Sequence, residues 1–156
     1  MYKRQRLLRE LKKQGWTKPV IGETTLTGQK VIELAGDAAN GAVAHVGLTV
    51  DAPIPEMLKF KAKYYQAYGS ISDHNGIKGY TSVYVLKAAV EKAGKLDPKA
   101  VAQALHGLSI SAKKYPGVIM DVSFDANGDL DRESYMTRVV GGKQVVSDIL
   151  PPVNKK

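Results

Sequence analysis

Residues 21–41 read Ile21-Gly-Glu-Thr-Thr-Leu-Thr-Gly-Gln-Lys-Val-Ile-Glu-Leu-Ala-Gly-Asp-Ala-Ala-Asn-Gly41. Pro19-Val-Ile-Gly22 is a short strand, with proline at the start, where a strand tolerates it. A polar turn follows, and then a helix over about 28–35. Thr27 stands as its candidate N-cap, and Val31, Ile32 and Leu34 are its apolar members. The chain then enters a nearly continuous apolar run over 42–50, as expected of a sheet strand covered on both faces. Upstream, residues 3–15 form an amphipathic basic helix with Leu7, Leu8 and Leu11 on one side, closed by Gly15. Helix, strand, helix, strand places the first 50 residues in an α/β sheet. In such sheets ligands collect at the carboxyl ends of the strands, where Glu23 and Thr24 stand.

Working outward, Asp51-Ala-Pro-Ile-Pro55 is a stiff, extended connector and a candidate boundary. A helix over about 55–68 carries Met57, Phe60, Tyr64 and Tyr68 at helical spacing, a stripe read as core. The longest helix runs over about 75–93, with Ile77, Tyr80, Tyr84 and Ala88 along one side and Gly94 at its end. Asp97-Pro98 begins another, with Asp as N-cap and Pro in the first turn. Residues 109–131 are loop-rich, with a turn at Tyr115-Pro-Gly117 and a short strand over 118–124. Gly141-Gly142 between two β-rich runs, 133–140 and 143–150, is a hairpin signal.

The composition sets bounds. The chain has 156 residues, 44% hydrophobic and 24% charged, enough for a sizeable core. It contains no cysteine, which excludes a disulfide framework, a thiol nucleophile and a thiolate metal site. No apolar run is long enough to span a membrane as a helix. The net charge of +8 favours acidic partners, but the basic residues are spread along the chain rather than gathered in one stripe. Asp125-Ala-Asn-Gly-Asp129 has oxygen ligands at calcium-loop spacing, but Leu130 and Met136 stand where that loop needs Gly and Glu. His45, His74 and His106 lack metal-ligand spacing. No phosphate-binding glycine loop or nucleophile elbow occurs. Neither an enzyme nor a cofactor is expected.

Several stretches, in this order, resemble one family. They are Leu7-Leu-Arg-Glu-Leu-Lys-Lys-Gln-Gly15, Pro19–Gly22, Leu34-Ala-Gly-Asp-Ala-Ala-Asn-Gly41, Gly79-Tyr-Thr-Ser-Val-Tyr84 leading to Ala88-Ala-Val-Glu-Lys-Ala-Gly94, Asp97-Pro98, Ala104-Leu-His-Gly-Leu108 and Phe124-Asp-Ala-Asn-Gly-Asp129. Together they resemble the C-terminal part of a periplasmic solute-binding protein of the leucine/isoleucine/valine type, a component of ABC transporters.

The resemblance implies a partial type I periplasmic-binding-protein fold of class α/β, with elements of both Rossmann-like lobes and a C-terminal β-hairpin. Residues 1–50 would belong to the second lobe, 51–130 to the first, and 131–156 would return to the second. It implies a periplasmic location, a permease partner, and a ligand that is a branched-chain or aromatic amino or organic acid bridging the lobes. It also implies that the chain is a fragment, because relatives hold the ligand carboxylate with residues N-terminal to this stretch. Self-association through uncovered apolar faces is then expected.

Two places carry over as ligand contacts. Tyr80 matches a tyrosine of the family at the start of the long helix. In many relatives an acid two residues after the strand's glycine pairs with the ligand's ammonium group. Here that position is Thr24, and the acid is one residue earlier, at Glu23. If Glu23 does not reach the ligand, an acid without an α-amino group fits better; if it does, an apolar amino acid remains possible. A basic nucleic-acid-binding α/β domain and a ligand-sensing regulatory domain of the same fold are the alternatives, and nucleic acid is the less expected partner.

Overall fold

The computed structural model describes residues 3–153. Two compact units emerge, each built from discontinuous chain. Of the described residues, the first comprises 3–52 and 134–150, the second 53–133 and 151–153.

The first unit begins with helix α1 (Lys3–Lys13), strand β1 (Ile21–Glu23), helix α2 (Gln29–Ala35), a 3-10 turn (Gly36–Ala39) and strand β2 (Val43–Val46). β1 and β2 are parallel, with Glu23 opposite His45. This is a β–α–β unit, whose strands are joined by a crossover helix. Strand β6 (Ser134–Val140) lies antiparallel to β2 and forms a hairpin with β7 (Lys143–Leu150), giving the order β1-β2-β6-β7. Gly141 and Gly142 both take positive φ, as a two-residue hairpin turn that follows the strand twist requires. Leu8 of α1, Ile32 and Ala35 of α2, and Ala44, Val46 and Val139 of the sheet form one buried cluster with Leu26.

Three sequence expectations change here. β2 is shorter than the apolar run and is not covered on both faces: Ala44 and Val46 are buried, whereas His45 is exposed. β1 starts at Ile21 and extends through Glu23, two residues later than the Pro19 start read from sequence. Thr27 does not cap α2; Gly28 holds that position without a side-chain bond. The Thr27 hydroxyl is instead 2.9 Å from that of Thr137 and accepts from the Gln144 amide at 2.7 Å. A long-range bond has displaced a local one.

The second unit holds helices α3 (Pro55–Tyr68), α4 (His74–Ala93) and α5 (Pro98–Leu105), and a small antiparallel sheet of β3 (Ser109–Ile110), β4 (Val122–Phe124) and β5 (Leu130–Asp131). Asp73 caps α4, accepting from the backbone N–H groups of Asn75 and Gly76. The Gly76 bond, chiefly, holds its carboxyl below the usual carboxylate range. Asp97 caps α5 through the Ala100 N–H. The expected strand over 118–124 is only its last part: Pro116–Val118 is a 3-10 turn, and the strand begins at Val122. Ala88, Ala89, Leu108, Ile110, Val118 and Val122 form the buried cluster of this unit. On α3, Met57 and Phe60 are buried as the stripe predicts, but Tyr68 is exposed. The helix face turns toward solvent over its last turn.

Candidate functional site

In the first unit, polar side chains gather where β1 and β2 end. Gly22 is needed for close approach: a Cβ there would lie 2.8 Å from Leu26 Cδ2 and 3.2 Å from Leu26 Cβ. Leu26 is anchored in the core, so the chain folds back tightly after Glu23, with the Leu26 N–H donating to the Glu23 carbonyl at 2.8 Å. That turn presents Thr24, whose hydroxyl donates to the His45 carbonyl at 3.4 Å. The His45 Nε2 in turn lies 2.9 Å from the Ser134 hydroxyl at the start of β6. Three segments far apart in sequence therefore supply one hydrogen-bonding surface. Beside it, the Thr25 hydroxyl is buried with no hydrogen-bond partner among the described residues, at a cost of roughly 1–3 kcal/mol for an unsatisfied group.

Glu23 points elsewhere. Its side chain is 79% exposed, and its carboxylate lies 3.7 Å from the Arg4 guanidinium on α1. An exposed pair of this kind contributes little stability, and it places the carboxylate beside α1. Thr24 and Glu23 thus share a turn but not a partner.

Sequence reading considered His45 only as a metal ligand, for which it lacks the spacing, and did not pick out Ser134. The available signal was a histidine interrupting an apolar strand near its carboxyl end. Its partner is 89 residues away, and only the β2–β6 pairing brings the two together.

Tyr80 belongs to the second unit. It lies on α4, 37% exposed, with its ring 4.9 Å from Phe60 and 5.2 Å from Tyr84. The Tyr80 and Tyr84 hydroxyls are 3.5 Å apart. That hydrogen bond, then burial and the Tyr84 charge, push the Tyr80 phenol up to about 12. It therefore stays a neutral donor and acceptor at any physiological pH. A phenol raised above its unfolded value of about 10 keeps its proton longer in the folded state. Its stabilising contribution is complete below pH ~10 and is lost as pH rises toward 12. An ultraviolet tyrosinate titration should show one late ionisation near this value, absent in Tyr80→Phe. The ring row continues through Phe60–Tyr64 at 5.8 Å and Tyr64–Tyr68 at 4.6 Å.

The other singled-out groups are structural. His106 Nδ1 bonds the Ala126 carbonyl at 2.8 Å. Asp125 accepts from the Asn127 and Asp129 N–H groups at 2.8 Å each, which makes the loop after β4 a turn.

A parallel β1–α2–β2 unit with hydrogen-bonding side chains at its carboxyl ends is the arrangement that α/β small-molecule binders use. The chain belongs to the periplasmic binding protein family, whose model matches residues 5–144. It is 30% identical over 127 residues to the leucine-, isoleucine-, valine-, threonine- and alanine-binding protein of Pseudomonas aeruginosa, a match covering 80% of this chain and 32% of that protein. Its structure resembles a leucine-binding protein from Thermotoga maritima, with a TM-score of 0.80 and 22% identity over 96% of this chain and 42% of that one. It also resembles an ABC-transporter solute-binding protein from R. palustris in complex with benzoate, with a TM-score of 0.77 and 20% identity over 98% and 42%. The fold is thus of the type I periplasmic-binding-protein kind. The chain spans about a third of the curated relative and about two fifths of these solved chains. The nucleic-acid alternative gains no support from these likenesses.

Proposed function

We propose that this chain is part of a non-enzymatic periplasmic solute-binding protein that captures a small carboxylic acid without an α-amino group and delivers it to an ABC-type permease. Residues 1–50 and 131–156 are read as second-lobe chain and 51–130 as first-lobe chain. The observation that carries the ligand class is the Glu23–Arg4 pair. With that carboxylate beside Arg4, the three hydrogen-bonded residues Thr24, His45 and Ser134 offer two hydroxyl groups and an imidazole, none of them a carboxylate. The benzoate bound by the R. palustris protein is a ligand of this class, whereas the P. aeruginosa relative is named for amino acids. Tyr80, with its apolar ring and neutral hydroxyl, is proposed as a ligand contact in its own right. Exposed Leu58, Tyr65, Tyr68 and Ile71 give self-association a surface on the second unit.

A thermal-shift screen tests the ligand class. A ligand at ~100-fold its dissociation constant adds about 2.7 kcal/mol to stability. Benzoate-type and short aliphatic acids should raise the melting temperature more than leucine or valine, and Thr24→Val should reduce the rise. Arg4→Gln releases Glu23 and should move the preference toward leucine. A larger shift with leucine than with benzoate in the unaltered chain would overturn the ligand class.

A further inference from the structure

A concavity lies at the opposite end of the first unit's strands from the Thr24 surface. Trp16, Lys18, Pro19, Val20, Gly41 and Arg138 are among the residues around a space of about 500 Å³, with Leu8, Leu11 and Ala42 beneath. That volume is within the range of small-ligand pockets. Three extended residues, about 10 Å, separate Val20 from Glu23, so this space is distinct from the Thr24 surface.

Its electrostatics are one-sided. Lys12, Lys18 and Arg138 rim it, and Asp37 is the only acid among its lining residues. A neighbouring hollow of about 310 Å³ shares Lys12, Asp37 and Ala38 and adds Arg9 and Lys13. Five cations and one carboxylate therefore line the two adjoining hollows, called the groove below. Among the described residues, none of the five side chains has an ion-pair partner. α1 supplies three of the five: its Lys3, Arg4, Arg6, Arg9, Lys12 and Lys13 stand against Glu10 alone, and among the described residues only Arg4 of these is paired, with Glu23. Trp16 supplies an indole wall that is 53% exposed.

We propose that this groove is a second binding site, for a small organic anion with an aromatic body. Unpaired cations at the rim take the carboxylate, and the indole and the aliphatic floor take the ring. The assignment does not depend on what binds at Thr24.

Trp16 is the one tryptophan of the chain, so its emission reports on this groove directly. The full 156-residue chain is titrated with benzoate, with benzamide as the neutral isostere, and with inorganic phosphate. Benzoate should change the emission saturably, while benzamide and phosphate at equal concentration should not. Lys12→Gln with Arg138→Gln should weaken the response roughly tenfold, the effect of losing one charge-assisted hydrogen bond or more. Lys18→Gln, on an exposed loop, provides a second test if that pair misfolds. Thr24→Val should leave the emission response intact while reducing the benzoate-induced thermal shift, which separates the two sites. An equal response to phosphate, an unchanged affinity in the groove variants, or no saturable response would overturn the proposal.

Discussion

Gln144→Leu should destabilise the chain by about 3 kcal/mol, the largest loss expected from any single polar substitution in the first unit. Gln144 is the centre of a one-directional chain of hydrogen bonds. The Asp51 N–H donates to the Thr49 hydroxyl at 3.2 Å, and Thr49 donates to the Gln144 carbonyl oxygen at 2.9 Å. The Gln144 amide donates to the Thr27 hydroxyl at 2.7 Å and the Thr27 carbonyl at 3.1 Å. Thr27 then meets Thr137, which donates to the Ala44 carbonyl at 3.3 Å. Thr27 and Thr137 are fully buried, so no water replaces the missing partner there. Leucine keeps most of the volume but leaves two acceptors on Thr27 and one donor on Thr49 unmatched. Thermal unfolding should show a midpoint fall of roughly 6–12 °C for a chain of this size. A loss below about 0.5 kcal/mol would show that the network carries no net stability. The same substitution should weaken ligand capture, because Thr27 closes the turn that presents Thr24.

Gly117→Ala should cost about 3 kcal/mol through overpacking in the second unit. A Cβ on Gly117 would overlap three ring atoms of Tyr84, Cγ, Cδ2 and Cε2. The glycine is buried, and the ring cannot simply withdraw: Tyr84 packs against the Ala88–Val122 cluster and is the neighbour of Tyr80. Tyr84→Leu should recover part of the loss in the double variant, since the two changes share one space. Fully additive losses measured by denaturant unfolding would mean that the contact is not the cause.

These two cases also show where the sequence is legible. Gly141-Gly142 announces its hairpin because the turn needs positive φ at adjacent residues, and both have it. Asp97-Pro98 announces α5 because cap and first turn are local. Gly117 looks like an ordinary turn glycine after Pro116, yet its φ is not positive, and the requirement comes from a tyrosine 33 positions earlier. Thr27 looks like a helix cap, yet its hydroxyl is held by a residue 117 positions away. The same physics governs the candidate site. Glu23 and Thr24 could be named from their place after a strand, but not that their neighbours are Arg4 and His45. Ser134 joins only because β6 pairs with β2. Local conformational demands can be read along the chain, whereas partners supplied by sheet topology cannot.

Amide chemical-shift mapping of the 156-residue chain during titration with benzoate reads the Thr24 surface residue by residue. Saturable shifts are expected at Glu23–Leu26, His45 and Ser134, reduced in Thr24→Val, with a separate set at Trp16 and Arg138. A folded chain whose amides at Glu23–Leu26, His45 and Ser134 do not respond to benzoate or to any short aliphatic acid would mean that no such acid binds at Thr24.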